Sequence, residues 1–337
     1  MTDESDRAKI IGILPKWAGW SLATPHIGFL HTTLRFLGER VSAAYLMGIS
    51  GEAFKTFVTV PPIKACGVIE AETFIGTALA ALGYEYEMFD GENPGEIIPL
   101  LSRFIDNGNP VLAWNISGVP EWGSIVGYHK SRSTLITQGI LTPQGEVDEQ
   151  KVEEILDECN CYVFVGIGEK KESPQDAASI IREALIRAVA IYERGAATIY
   201  DTCIRKDAGP FITGIDAYGS LINWLEEADE DELAGHAEWD FPYIPLVLAS
   251  CRKAANVFLK EIGHRFDESG EKAIRSAARH YGRVAESLVN LKKLFPFPGI
   301  PEDLLDPKNR KKAVELLTYA VSAERRALSD LKSFTRH

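Results

Sequence analysis

The sequence predicts an α+β fold, with an antiparallel sheet and helices in the first half of the chain and helices alone in the second. Residues from about 8 to 170 alternate short apolar runs with glycine and proline. From about 173 to 337 the apolar residues follow helical spacing. In the first half, helical patterns come before strand patterns, which is an α+β order. We therefore predict two domains, 1–170 and 171–337.

Three helices are predicted ahead of the strands. The first begins at Thr24 and Pro25, an N-cap residue followed by a first-turn proline, and it ends before Gly38. The apolar residues between them recur at helical spacing. Two further helices are expected at about 70–82 and 95–106, and each is followed by a glycine that suits a helix end.

The stretch from Pro110 to Tyr128 has the pattern of two short strands joined by a tight loop, with Glu121 and Trp122 starting the second strand. Its apolar residues are bounded by glycine, proline and serine. Strands are predicted near 10–14, 111–115, 122–128, 133–138 and 162–167.

The second half begins with Ser173 and Pro174, a cap and proline, with Asp176 in the first turn where a carboxylate suits the helix dipole. The amphipathic helix that follows ends at Gly195. Further helices are predicted at about 214–227, 245–262, 271–294 and 307–334.

Composition excludes some classes of function. The chain has 337 residues and a formal net charge of -12, so a nucleic-acid partner is not expected, because phosphates need a basic surface. No run of about 18 apolar residues predicts a membrane span. The first nine residues have no secretory signal pattern. We expect a cytoplasmic protein without a membrane partner.

The five cysteines do not form a metal-binding pattern. Their number is odd and their spacing irregular, which indicates free thiols. Cys159 and Cys161 lack the second pair, or the spaced histidines, that a structural zinc site needs. No metal and no cofactor is predicted.

Two glycine motifs resemble catalytic or nucleotide-binding loops without completing them. Residues 48–52 read Gly-Ile-Ser-Gly-Glu, and Glu52 stands where a nucleophile elbow requires glycine. Residues 166–168 read Gly-Ile-Gly, and Lys171 stands where the dinucleotide fingerprint has its third glycine. We interpret the first as a turn and exclude a cofactor at the second.

Four short segments follow one another along the first half of the chain: LRFLG (34–38), YLMGISGEAF (45–54), NPVLAW (109–114) and EWGSIVGY (121–128). They resemble the N-terminal domain of the butirosin biosynthesis protein H family, which looks like a branch of the C39-like, papain-like cysteine peptidase superfamily. TGIDAY (213–218) and FPFP (295–298) resemble the helical region that accompanies this domain. The resemblance implies a papain-like core.

In active relatives a cysteine at the start of the first helix attacks an acyl group, a histidine on a later strand is the base, and an Asp or Asn orients it. The resemblance places the nucleophile near Pro25 or His26, the base at Glu121, and the orienting residue at Thr137 or Gln138. None of these is the residue type that the active relatives use. Cys66 is the nearest thiol in sequence.

The candidate site residues follow from this placement. Glu121 lies between proline and tryptophan, where burial would raise its carboxyl pKa and suit it to proton transfer, although the sequence favours a structural carboxylate satisfied by backbone N–H groups or an arginine. Glu121 and His26 are the candidate catalytic residues. The candidate ligand-binding residues are Trp114, Asn115, Trp122 and Tyr128.

Three functions are compatible with the sequence. The first is a papain-like protein without cysteine catalysis that binds a small amine, peptide or acyl ligand in its cleft. The second is an amide hydrolase or acyl (or aminoacyl) transferase that uses Glu121 and His26, which requires the two side chains to lie about 3 Å apart or to share one water. The third is a helical interaction protein, with a homodimer formed by the long helices after residue 245.

Overall fold

The structure is a computed structural model, and the chain divides into two compact units. Met1–Ala43, Val68–Gln175 and Tyr200–Lys206 form the first; Ala44–Gly67, Asp176–Ile199 and Asp207–His337 form the second. The residues described are 9–15, 24–59, 70–91, 93–116, 118, 121–155, 162–171, 175–201 and 206–336. Cys66, Cys159, Cys161 and Cys203 lie outside them, as do Ser173 and Pro174.

An antiparallel sheet forms the centre of the first unit. Its strands are β1 (Lys9–Ile10), β3 (Tyr84–Gly91), β4 (Val111–Ala113), β5 (Gly123–His129), β6 (Thr134–Gln138), β7 (Asp148–Lys151) and β8 (Tyr162–Lys170). Among the described residues the path of the sheet runs β3-β8-β4-β5-β6-β7, and β1 pairs with β5 beside this path. The antiparallel sheet predicted from the strand patterns is therefore present.

Helices cover both faces of this sheet. They are α1 (Pro25–Phe36), α3 (Ala71–Ala81), α4 (Pro94–Ile105) and α5 (Val152–Ile155). Leu101 belongs to one apolar cluster with Ile125 on β5, whereas Thr33 contacts Ser124, the preceding residue of β5. Consecutive strand residues point to opposite faces, so the helices that carry Leu101 and Thr33 lie on opposite sides.

Helices make up most of the second unit. It contains α2 (Ala43–Ser50, from its second residue), α6 (Ala177–Glu193), α7 (Gly214–Glu227), α8 (Glu230–His236), α9 (Asp240–Ile262), α10 (Glu268–Leu294), α11 (Pro301–Leu305) and α12 (Pro307–Thr335). Asp176 is the N-cap of α6, since its side chain accepts hydrogen bonds from the Ala178 and Ser179 N–H groups, rather than a first-turn residue.

The prediction that the second half is purely helical is wrong. β9 (Ala196–Asp201) and β10 (Lys206–Thr213) lie between two helices, and β10 pairs with β2 (Phe57–Thr59) to give a sheet of order β2-β10-β9. The partner strand β2 lies about 150 residues earlier in the chain, because Thr59 pairs with Phe211. Local periodicity does not report such a pairing.

The long helices bury their apolar faces inside the second unit. Leu288 and Leu291 of α10 share a core with Leu317 of α12 and Leu248 of α9. Among the described residues of α10 and α12, Tyr319 is the only large hydrophobic one that is exposed. The homodimer therefore stays a prediction, and the described residues of these two helices expose no apolar stripe that would support it. No described helix has the length and hydropathy needed to cross a bilayer.

Both glycine motifs serve close packing. A Cβ on Gly48, inside α2, would lie 2.2 Å from the Phe258 ring of α9. A Cβ on Gly166, in β8, would lie 2.3 Å from the Phe104 ring of α4. Real Cβ atoms do not approach carbon atoms so closely, so each position requires glycine because an aromatic ring occupies the space.

We expect Gly48→Ala to destabilise the protein by about 2 kcal/mol or more, since the methyl group overlaps a buried ring. Gly219→Ala in α7 is the matched control, because a Cβ there meets nothing within 4 Å. It should stabilise by up to about 1 kcal/mol through helix propensity. Urea unfolding measures both, and equal effects of the two variants would contradict this account of Gly48.

Candidate ligand site at the turn between β4 and β5

Two tryptophans lie side by side where the β4–β5 ladder ends. Ala113 pairs with Gly123 in the ladder, so Trp114 and Trp122 are the next residues on the two strands. Their ring centroids are 6.2 Å apart with planes inclined at 64°. The Trp114 N–H donates to the Val163 carbonyl at 3.0 Å, which fixes this end of β4 against β8.

Unsatisfied polar atoms accompany the tryptophan pair. Trp122 is fully buried, and neither its Nε1 nor the Glu121 Oε2 has a hydrogen-bond partner among the described residues. Burial raises the pKa of Glu121 to about 7, against the opposing effect of the Trp122 backbone N–H. Buried polar atoms are nearly always hydrogen-bonded in folded proteins. A donor group or a positive charge from a ligand would satisfy this carboxylate.

Asn115 has a structural role in the same turn. Its φ is 61°, in the left-handed region that asparagine tolerates better than most residues. Its Nδ2 donates to the Ile155 carbonyl at 3.0 Å. The side chain is thereby held against the end of α5, and it orders the turn that presents Trp114.

Tyr128 lies at the opposite end of β5 from the tryptophan pair. It is six residues beyond Trp122, which corresponds to about 20 Å of extended strand. Its hydroxyl donates to Asp106, just after α4, at 2.9 Å, and burial together with this bond raises the pKa of Tyr128 to about 12. The structure therefore does not bring Tyr128 to the tryptophans.

His26 lies fully buried in the first turn of α1. No hydrogen bond joins its imidazole to the Glu121 carboxyl. The described contact between α1 and the start of β5 is made two turns later, where Thr33 Oγ1 and Ser124 Oγ are 3.3 Å apart. The direct pair required by the hydrolase hypothesis is thus not formed in this structure.

The positions expected to orient a catalytic base are engaged elsewhere. Gln138 Oε1 accepts from the Leu14 N–H at 2.7 Å, and its Nε2 donates to the Glu146 carbonyl at 3.1 Å. Thr137 Oγ1 donates to side-chain and backbone oxygens of β7. These contacts connect β6 with neighbouring segments and leave no orienting group for Glu121.

No protein-family model matches the chain, and no curated protein shows significant sequence similarity to it. The resemblance to the butirosin biosynthesis protein H family and to the papain-like superfamily therefore stays a prediction. The mixed helical and antiparallel-sheet architecture is shown by the structure alone.

A buried charge cluster in the second unit is absent from the sequence-based predictions. Arg252 on α9 and Glu324 on α12 are both fully buried, and Arg252 Nε lies 2.6 Å from Glu324 Oε1. The Tyr192 hydroxyl donates to the same carboxylate oxygen, and Tyr281 donates to Tyr192 at 3.0 Å. Burial raises the pKa of Glu324 well above its usual value. Its ionised form therefore requires a close cation, and the Arg252 guanidinium is placed to provide it.

The same guanidinium holds the segment that follows α2. Arg252 Nη1 donates to the carbonyls of Ala53 at 3.1 Å and Lys55 at 2.7 Å, and Nη2 donates to Thr56 Oγ1. Lys55 Nζ in turn lies 2.8 Å from Glu52 Oε1, and both side chains are buried. The cluster joins α6, α9 and α12 to the segment after α2, which indicates a structural role, although Glu324 Oε2 has no hydrogen-bond partner among the described residues.

The sequence does contain a signal for this cluster. Arg252 occupies a position in the apolar stripe of α9 that runs through Leu248, Ala255 and Leu259, and these spacings place all four on one helix face. A charged residue inside such a stripe is buried with a partner or not at all. Glu324 has the same relation to the apolar stripe of α12.

Glu121→Gln should remove a pH dependence of stability. Because the folded-state pKa of Glu121 is raised from 4.5 to about 7, the folded protein binds the proton more tightly than the unfolded chain. This contribution is complete below pH 4.5 and is lost as pH rises to about 7, which amounts to about 3 kcal/mol. In urea unfolding, the free energy of unfolding of the variant should rise relative to that of the wild type between pH 5 and pH 8. An unchanged difference would show that Glu121 titrates normally.

Arg252→Met should destabilise the second unit by about 3–5 kcal/mol, because Glu324 and two carbonyls lose a buried partner. The double variant Arg252→Met/Glu324→Leu should recover part of that loss, since no unpaired charge remains. Lys253→Met, at the exposed neighbouring position, is the control and should change little. If the double variant were as unstable as the sum of the two single variants, the pair would not interact as described.

Proposed function

We propose that the first unit binds a small ligand with a cationic amine, such as an aliphatic amine or the amino terminus of a short peptide, at Glu121, Trp114 and Trp122. The observation that supports this most directly is the buried Glu121 Oε2 without a hydrogen-bond partner among the described residues. An ammonium group satisfies a carboxylate and restores the hydrogen bond that burial removed.

The tryptophan pair suits the same ligand. Indole faces attract cations, and the attraction grows when water is excluded. Both rings are nearly or fully buried, and they lie on either side of the turn whose last residue before Trp122 is Glu121. A carboxylate beside two aromatic rings favours an amine over an anionic or purely apolar ligand.

The chemistry proposed is recognition rather than acyl transfer. A papain-like reaction needs a thiolate, and the position expected for the nucleophile is occupied by Pro25 or His26. Glu121 forms no hydrogen bond with His26. Without an attacking group beside it among the described residues, a carboxyl group with a pKa of about 7 acts as an acceptor for a charged ligand.

The test is a titration of intrinsic tryptophan fluorescence with aliphatic mono- and diamines and with short peptides. Binding to the wild type should be saturable, and Glu121→Gln should weaken it by about tenfold or more, as expected for a charge-assisted hydrogen bond. Affinity should rise from pH 5 to pH 8, because the ligand requires the ionised form of a carboxyl whose pKa is about 7.

Glu146→Gln is the matched control, since this carboxylate is exposed in the same unit. It should leave the affinity unchanged. Absence of saturable binding by any of these amines, or equal affinities for Glu121→Gln and the wild type, would overturn the proposed function.

A further inference from the structure

A second candidate site is a cavity that lies wholly within the second unit. It has a volume of about 770 Å³ and is lined by residues of α6, the start of α10 and the end of α12. Cavities of this size hold small molecules up to the size of nucleotides or drugs. The cavity shares no residue with the tryptophan site, so a ligand bound in it would be independent of the proposed amine.

Cations dominate the lining of this cavity. Arg182, Arg265, Lys272 and Arg279 come from three different segments of the chain. None of the four forms an ion pair with any described residue. Such a concentration of unpaired positive charge is unusual in a chain whose net charge is -12. Arg265, Lys272 and Arg279 are exposed, so water screens their mutual repulsion, and an anion in the cavity would lower that repulsion further.

The two carboxylates of the lining offset part of this positive charge. Asp267 is the N-cap of α10 and accepts from the Gly270 N–H at 2.8 Å, a neutral donor that leaves the carboxylate charged. Asp330 Oδ2 lies 3.8 Å from Nε2 of His280, and burial lowers the pKa of that histidine. Four cations and two carboxylates line the cavity, so an excess of positive charge remains.

The lining also contains groups that bind phosphate. Ser269, Ser276 and Ser333 provide hydroxyl donors. Arginine presents a planar fork of N–H groups that matches a phosphate bidentately. Arg182 is held in place because its guanidinium carbon lies 5.3 Å from the centroid of the Phe334 ring. That stacking leaves the edge of the guanidinium available to an acceptor.

We propose that this basic cavity binds a small molecule that carries two or more phosphate groups. The four cations come from three segments around a cavity of about 770 Å³, which favours a ligand with phosphoryl groups at two or more positions. A nucleic acid is disfavoured, because the surrounding protein is strongly acidic.

Isothermal titration calorimetry with inorganic pyrophosphate tests the proposal, with inorganic phosphate and citrate as comparison anions. Pyrophosphate should bind in a 1:1 complex, at least about tenfold more tightly than phosphate or citrate, and more weakly as salt is added. Lys272→Gln and Arg279→Gln should each weaken pyrophosphate binding by about tenfold.

Lys293→Gln is the matched control for Lys272→Gln. Both lysines are exposed on α10 and the charge change is equal, but Lys293 is 21 positions further along the helix and does not line the cavity. The affinity of the Lys293→Gln variant for pyrophosphate should equal that of the wild type. The proposal is overturned if pyrophosphate shows no saturable binding, if citrate binds as tightly, or if the control loses as much affinity as the cavity variants.

Discussion

The second unit depends on the burial of one guanidinium group. Arg252 connects α9 to the carbonyls after α2, to Glu324 on α12, and to the ring of Tyr192 on α6, whose centroid lies 5.7 Å from its guanidinium carbon. These segments are far apart in the chain. A buried charge tolerates few arrangements, because every donor must find an acceptor. Arg252 therefore selects one packing of helices whose apolar faces alone would permit others.

Helix positions could be predicted well because their signals are local. The glycines that follow α1, α3 and α4 have φ values of 93°, 81° and 84°, so the residues expected to end these helices do so in the left-handed conformation. The predicted helices at 70–82 and 95–106 correspond to Ala71–Ala81 and Pro94–Ile105. The strands near 111–115, 122–128, 133–138 and 162–167 are also confirmed, with small changes at their ends.

Most of the strands that were missed are decided by distant contacts. β3 has the sequence YEYEMFDG, whose first four residues alternate aromatic and charged side chains as a half-buried strand does, so the sequence contained a signal for it. Its pairing with β8 depends on contacts between residues about 80 positions apart, such as Tyr86 with Ile167. β10 pairs in the same way with the distant strand β2, and β9 pairs with β10. Propensity is a weak guide where distant contacts decide the structure.

The candidate site was predicted in part. The strand pattern placed Trp114 and Trp122 at matching ends of adjacent strands, and neighbouring ends of an antiparallel pair meet in space. Tyr128 lies near the far end of β5, six residues beyond Trp122. The predicted strand 122–128 already implied this separation, so Tyr128 did not belong in the same site. Asn115 was assigned to ligand binding, whereas its side chain binds the Ile155 carbonyl. Which groups a polar side chain reaches depends on elements distant in sequence.

The segment from Ala44 to Thr59 belongs to the second unit although the first unit both precedes and follows it in the chain. The Ala53 carbonyl gains its hydrogen bond from the Arg252 guanidinium only after 199 further residues have been synthesised. At ordinary translation rates this delay lasts about 10–40 s. During that interval the nascent chain exposes α2, Phe54 and β2 without their final neighbours. The second unit therefore completes its fold only after α9 has been synthesised, and ribosome-associated chaperones are expected to engage the early segment until then.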